Sequence, residues 1–175
     1  MEAMASDEEL AGRIVDGDES ALEELLERYS HPLASFISRH TGGYDVEDIH
    51  QETWIRVVGA IDSFDRHRKF STWIFRIAIN LCRDRHRRSV VRPIASADSD
   101  EVGYSEDSSA ALDAQSLLAR LPIEQREAIV LRYYHDLSEA EMADVIGVPQ
   151  GTVKSRLHAG LSKLSQLAAD EERQS

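Results

Sequence analysis

The residues of this chain with the most legible chemistry are cations and amides set at helical spacing. In the stretch from Leu137 to Leu164, LSEAEMADVIGVPQGTVKSRLHAGLSKL, a helical period puts Gly151, Ser155, Ala159 and Ser162 on one side, flanked by Thr152, Lys154, Arg156 and Lys163. A face without bulk lets a backbone approach base edges in a groove, while the flanking cations meet phosphates. A second set, Arg76, Asn80, Arg83 and Arg87, recurs at spacings of 4, 3 and 4, with Thr72 and Trp73 beside its start. Guanidinium groups bind phosphate and stack on bases, and asparagine pairs bidentately with adenine. A solvated cationic face would look similar, although helices that need only solubility usually mix signs at i,i+4. Just upstream, the loop from Ile61 to Lys69 combines Phe64 with Arg66, Arg68 and Lys69, a set suited to holding a single-stranded base. Phe64 is equally suited to plugging a core. The third set has opposite charge: Asp48, Gln51 and Glu52 gather around Ile55, as at a protein-binding face whose acids steer a basic partner, or on a plain solvated face.

These residues need helices to hold them, and the chain reads as all-α. No stretch alternates with period 2 or carries hairpin turns. Ser138 and Glu141 form a capping box, Met142, Ala143 and Ile146 an apolar edge, and Gly147-Val148-Pro149 a turn. From about Gln150 a second helix follows with Val153, Leu157, Leu161 and Leu164 pointing inward, so the pair is a helix-turn-helix. Upstream, Ser6-Asp7-Glu8-Glu9 opens a short helix, and Glu19 to about His40 forms a longer one, bent or interrupted near Pro32 and ended by Gly42-Gly43. A third helix, Asp45 to about Ile61, turns Val46, Thr53, Trp54, Val57 and Ile61 inward. The fourth, Phe70 to about Arg88, buries Phe70, Ile74, Ile77, Ala78 and Leu81. The run SADSDEVGYSEDSSA is too polar to bury a core and reads as a flexible anionic tether. A helix from Glu124 to His135 precedes the helix-turn-helix. The expected organisation is a first domain over 1–92, a linker over 93–112 and a second domain over 113–175.

Composition narrows the function classes. The net charge of −12 argues against nucleic acid until its distribution is read. Residues 1–65 hold 4 basic and 16 acidic side chains, whereas residues 66–92 hold 9 basic and one acidic. An acidic body with one basic stripe orients a complex with DNA by repelling it elsewhere. The single cysteine, Cys82, excludes an internal disulfide, has only His86 one turn away as a metal partner, and reads as a buried small hydrophobe. No cofactor is implied. No apolar run approaches bilayer length, and the acidic N-terminus is unlike a signal peptide, so a cytoplasmic protein without membrane insertion is expected. With no nucleophile-base pair, phosphate loop or metal set, an enzyme with a small-molecule substrate is not expected.

Three strings, DVEDIHQETWIRVV, FSTWIFRIAINLCRDRHRR and LPIEQREAIVLRYYHDLSEAEMADVIGVPQGTVKSRLHAGLSKL, occur in that order around a polar linker. In this the chain resembles the extracytoplasmic function sigma factors of bacterial RNA polymerase over nearly its whole length. The resemblance implies that Asp48, Gln51, Glu52 and Ile55 grip the clamp helices of the largest polymerase subunit. It implies that Phe64 to Lys69 capture a flipped non-template base of the minus-10 element, with Trp73, Arg76, Asn80, Arg83 and Arg87 on the adjoining helix. Thr152, Lys154, Ser155, Arg156 and His158 fall on the minus-35 recognition helix, and the linker matches the segment that threads toward the active-site cleft and RNA exit path. The implied partners are core RNA polymerase, through those clamp helices and the flap, promoter DNA and an anti-sigma factor. His158-Ala159-Gly160 stand where the family often has another arginine, which implies a thinner or differently specific minus-35 contact. Two alternatives are a sigma-like decoy that binds an anti-sigma factor without reading DNA, and an ordinary helix-turn-helix regulator. The first is expected to lack the arginine stripe, and the second leaves the face around Ile55 unexplained.

Overall fold

Ser6 starts the first helix, α1 (Asp7–Val15), through a capping box: its hydroxyl accepts from the Glu9 amide and Glu9 accepts from its own. This computed structural model describes residues 4–91 and 109–174. Helices α2 (Glu19–Thr41), α3 (Val46–Ala60) and α4 (Phe70–Val91) complete the first block, with a 3₁₀ turn at Ile61–Ser63 between the last two. Helices α5 (Ser109–Ala119), α6 (Ile123–Tyr133), α7 (Glu139–Ile146) and α8 (Gln150–Gln174) form the second. Among the described residues every regular element is helical, so the all-α expectation holds. The expected tether lies outside the described residues up to 108, and α5 begins at Ser109, inside its expected C-terminal end.

The first block closes around Leu10, Leu25, Leu33, Phe36, Phe70 and Ile74, all fully buried. Burying each such side chain contributes about 1.5–3 kcal/mol before entropy is subtracted. Polar contacts then set the angles between helices. Asp7 of α1 accepts from Arg28 (2.5 Å) and from the Tyr29 hydroxyl of α2, and Glu8 accepts from the Phe70 amide (2.9 Å), which caps α4 from across the fold. Gly42, at φ 73°, ends α2 in the left-handed conformation.

Three details differ from the sequence reading. Helix α2 continues through Pro32 without interruption. The buried side of α4 is wider than one stripe, because Phe75 and Ile79 are buried beside the expected residues, Cys82 among these. That helix is covered on two sides, by α2 and α3 and also by α7 of the second block. Leu161, expected to point inward, is 43% exposed and lies in an apolar groove with Leu117, Ile129, Tyr133 and Leu164, which α5, α6 and α8 line but do not fill. The Cys82 thiol is 1% exposed and burial raises its pKa well above the ordinary value, which keeps it an inert hydrophobe.

Candidate nucleic-acid interface and docking face

Helices α7 and α8 build the helix-turn-helix as its turn chemistry requires. Ser138 and Glu141 form the capping box at 2.8 and 3.2 Å, and Gly147 takes φ 78°, where a side chain would be strained. Met142, Val145, Ile146 and Val153 anchor the pair in the core. On the outer side of α8, Gly151, Ser155 and Ser162 are exposed and Ala159 is half-buried, leaving a smooth surface. Lys154 pairs with Glu139 at 3.5 Å, and the Ser155 hydroxyl donates to the Thr152 carbonyl. Thr152 and Arg156 are half-buried and His158 is exposed; one Arg156 terminal nitrogen is enclosed without a partner.

On α4, Arg76, Asn80 and Arg87 are exposed and Trp73 is half-buried, so the polar band reaches solvent along much of the helix. Arg87 pairs with Asp84 one turn away. Arg83 does not face solvent with the rest of the band: it reaches the second block and grips Glu127. The upstream loop is anchored too. Phe64 packs in the core against Trp73 (5.1 Å) and Phe70 (5.6 Å), the second of the two roles its sequence left open. Arg66 donates to the Gly12 carbonyl, Arg68 stays mostly exposed, and Lys69 pairs with Glu141 of α7 at 2.6 Å.

The acidic face of α3 is open. Ile55 is 66% exposed, with Val58 also exposed beside it, and Asp48, Gln51, Glu52 and Ile55 line a shallow groove against Leu81, Asp84, Arg85 and Arg88 of α4. Arg85 lies 3.9 Å from Asp48 and Arg56 pairs with Glu52 at 3.0 Å, both at exposed positions where such pairs contribute little. An apolar side chain held open among carboxylates suits a partner surface that is basic and partly apolar.

Sequence reasoning missed the residues where the two blocks meet. Glu127 is 1% exposed, with Arg83 on both carboxylate oxygens (2.8 and 2.6 Å) and His40 Nε2 3.0 Å from Oε1. Burial raises the Glu127 pKa, but the hydrogen bonds and charges of His40 and Arg83 more than offset that, and the net shift is downward. Arg126 donates to the His40 carbonyl (2.7 Å), to the closing carbonyls of α5 at Leu118 and Ala119, and to the Leu121 carbonyl just beyond that helix. The available signal was an acid on an otherwise apolar helix side, in line with Val130 and Leu131.

Comparison with known proteins matches the same two blocks. Residues 25–90 match the family described as Sigma-70 region 2, and residues 111–164 the one described as Sigma-70, region 4. The chain is 34% identical to the ECF RNA polymerase sigma factor SigW of Bacillus subtilis (strain 168), over 90% of this chain and 94% of that one. It is 33% identical to the ECF RNA polymerase sigma-E factor of Escherichia coli (strain K12), over 90% and 91%. Among solved structures, CnrH in complex with the cytosolic domain of CnrY is similar at a TM-score of 0.75 and 29% identity, covering 95% of this chain and 99% of that one. The sigma factor RpoE in complex with the anti-sigma factor NepR from Bartonella quintana gives 0.72 and 25%, over 85% and 96%.

Proposed function

We propose, from the premise that this chain belongs to the extracytoplasmic function sigma factors of RNA polymerase, a division of labour among its three polar faces. As a member of that family it is a non-enzymatic specificity subunit that binds core polymerase and directs initiation at promoters. The acidic face of α3 docks on the clamp helices of the largest polymerase subunit through Asp48, Gln51, Glu52 and Ile55. Helix α4 reads the minus-10 element with Trp73, Arg76, Asn80 and Arg87, and Arg83, Lys69 and Phe64 join it once freed from their present contacts. Helix α8 reads the minus-35 duplex with Thr152, Lys154, Ser155, Arg156 and His158. Melting is assisted where the loop before α4 traps an unstacked base.

The observation that carries the docking assignment is Ile55, two-thirds exposed among Asp48, Gln51 and Glu52. Exposed Arg76 and Asn80 favour a DNA reader over the decoy alternative. An anti-sigma partner is inferred from the solved relative RpoE, which was captured with one. No helix among the described residues is long and apolar enough to cross a membrane, and a cytoplasmic site of action is read from the sigma-factor relatives. Charge reversal tests the docking face. Asp48→Lys and Glu52→Lys should lose co-purification with core polymerase while circular dichroism keeps the wild-type helix content. Retention of core enzyme by both variants would remove α3 from the interface.

A further inference from the structure

We propose that this chain carries its own latch, in which Glu127 of α6 is clamped by Arg83 of α4 and His40 of α2, holding the two blocks in a closed form that cannot fully engage a promoter. The consequence for promoters rests on the sigma-factor reading above; the closure itself does not. A carboxylate 1% exposed is costly to bury, and its hydrogen-bonding partners come from the opposite block. The Arg83 fork meets both oxygens at 2.8 and 2.6 Å, the geometry of a bidentate charge-assisted pair, and its other nitrogen donates to the Ile146 carbonyl at 3.2 Å. Around this pair the seam is aromatic. Phe36, Phe75 and His135 stand 4.8–5.8 Å apart across it, and Arg39 lies 4.1 Å over the Tyr134 ring.

The latch spends the cations that the DNA-reading helices need. Arg83 and Lys69 both belong to the minus-10 set, and in the closed form they are held by Glu127 and Glu141. Closure and promoter engagement therefore compete for the same side chains. A buried ion pair is suited to this competition. Its attraction largely offsets its own desolvation, so it fixes one docking geometry without making that geometry irreversible. A partner that binds the open form is weakened by the closed fraction and releases the latch by mass action.

Two variants of the full chain test the proposal. Glu127→Gln keeps the side-chain shape and removes the charge, and Glu141→Gln breaks the Lys69 pair while preserving the capping box. Small-angle scattering reads opening as a larger radius of gyration, and fluorescence anisotropy reads binding to a fluorescein-labelled mixed-sequence DNA duplex at low salt. Glu127→Gln should expand the particle and bind the duplex about fivefold tighter or more, with helix content unchanged, and Glu141→Gln should move both readouts the same way by less. If Glu127→Gln does not fold, Glu141→Gln decides alone. Wild-type scattering and unchanged DNA affinity in every folded variant overturn the latch. Run-off transcription with core polymerase separates the two ideas. Initiation by wild type with neither readout altered in the variants sinks the latch alone, whereas opening without any initiation sinks the sigma-factor role and leaves the closure standing.

Discussion

Arg76 and Asn80 lie one turn apart on α4, both open to solvent, and their chemistry predicts different failures. A guanidinium that contacts phosphate contributes regardless of sequence, so Arg76→Ala should weaken promoter binding evenly and lower the salt slope by about one. An amide paired with a base edge discriminates, so Asn80→Ala should cost about 1–3 kcal/mol on the preferred sequence and little on others. Binding measured over a range of salt and on substituted promoters with the holoenzyme separates the two. His135 makes a third residue-scale prediction. Burial, and then the Arg39 charge, push its pKa from 6.5 down to about 4, and its Nε2 is enclosed without a partner among the Phe36 and Phe75 rings. A depressed histidine stabilises the fold fully above 6.5 and loses that contribution as pH falls toward 4. Urea melts at pH 7 and pH 5 should therefore show a larger loss for wild type than for His135→Phe, and equal losses would contradict the assignment. At this scale the exposure of Ile55 and the Ser138–Glu141 cap were legible from spacing alone. The core position of Phe64 was not, because an aromatic residue beside cations suits a base and a core equally.

At the scale of elements, α6 explains why α8 carries a glycine at position 160. Residues 127–131 of α6 are all buried, so neighbouring helices cover it on several sides. Helix α8 crosses it so closely that a Cβ at Gly160 would stand 3.1 Å from Ile129 Cγ1 and 3.4 Å from Gln125 Cβ. Gly160→Val should destabilise the protein by about 1–3 kcal/mol through overpacking, read as a lower urea midpoint with an unchanged slope. Most helix boundaries were legible within a few residues, since capping boxes and glycines mark them in the sequence. The two-sided burial of α4 was not. Periodicity finds the face that fills a helix's own block, but α7 of the other block also packs on α4 and the His135 ring lies 4.8 Å from Phe75, and neither contact has a local signature.

For the whole molecule, charge patterning foretold an acidic body with a basic stripe, but not that the stripe would be partly consumed inside. Helices form in both the N-terminal and the C-terminal stretches where they were expected, while the docking of the blocks rests on His40, Arg83 and Glu127, separated by as much as 87 positions. Such a pairing cannot be found from one sequence, because an acid on α6 and a cation on α4 each have many possible partners. The central claim is that this chain gives RNA polymerase its promoter choice. Transcription in vitro, with core polymerase freed of every other sigma factor and fragments of a bacterial genome as templates, tests it most directly. Initiation should appear only when the chain is added, at start sites that share one upstream duplex element and one opening element at fixed separation. No initiation, or start sites without a common pair of elements, would contradict the account.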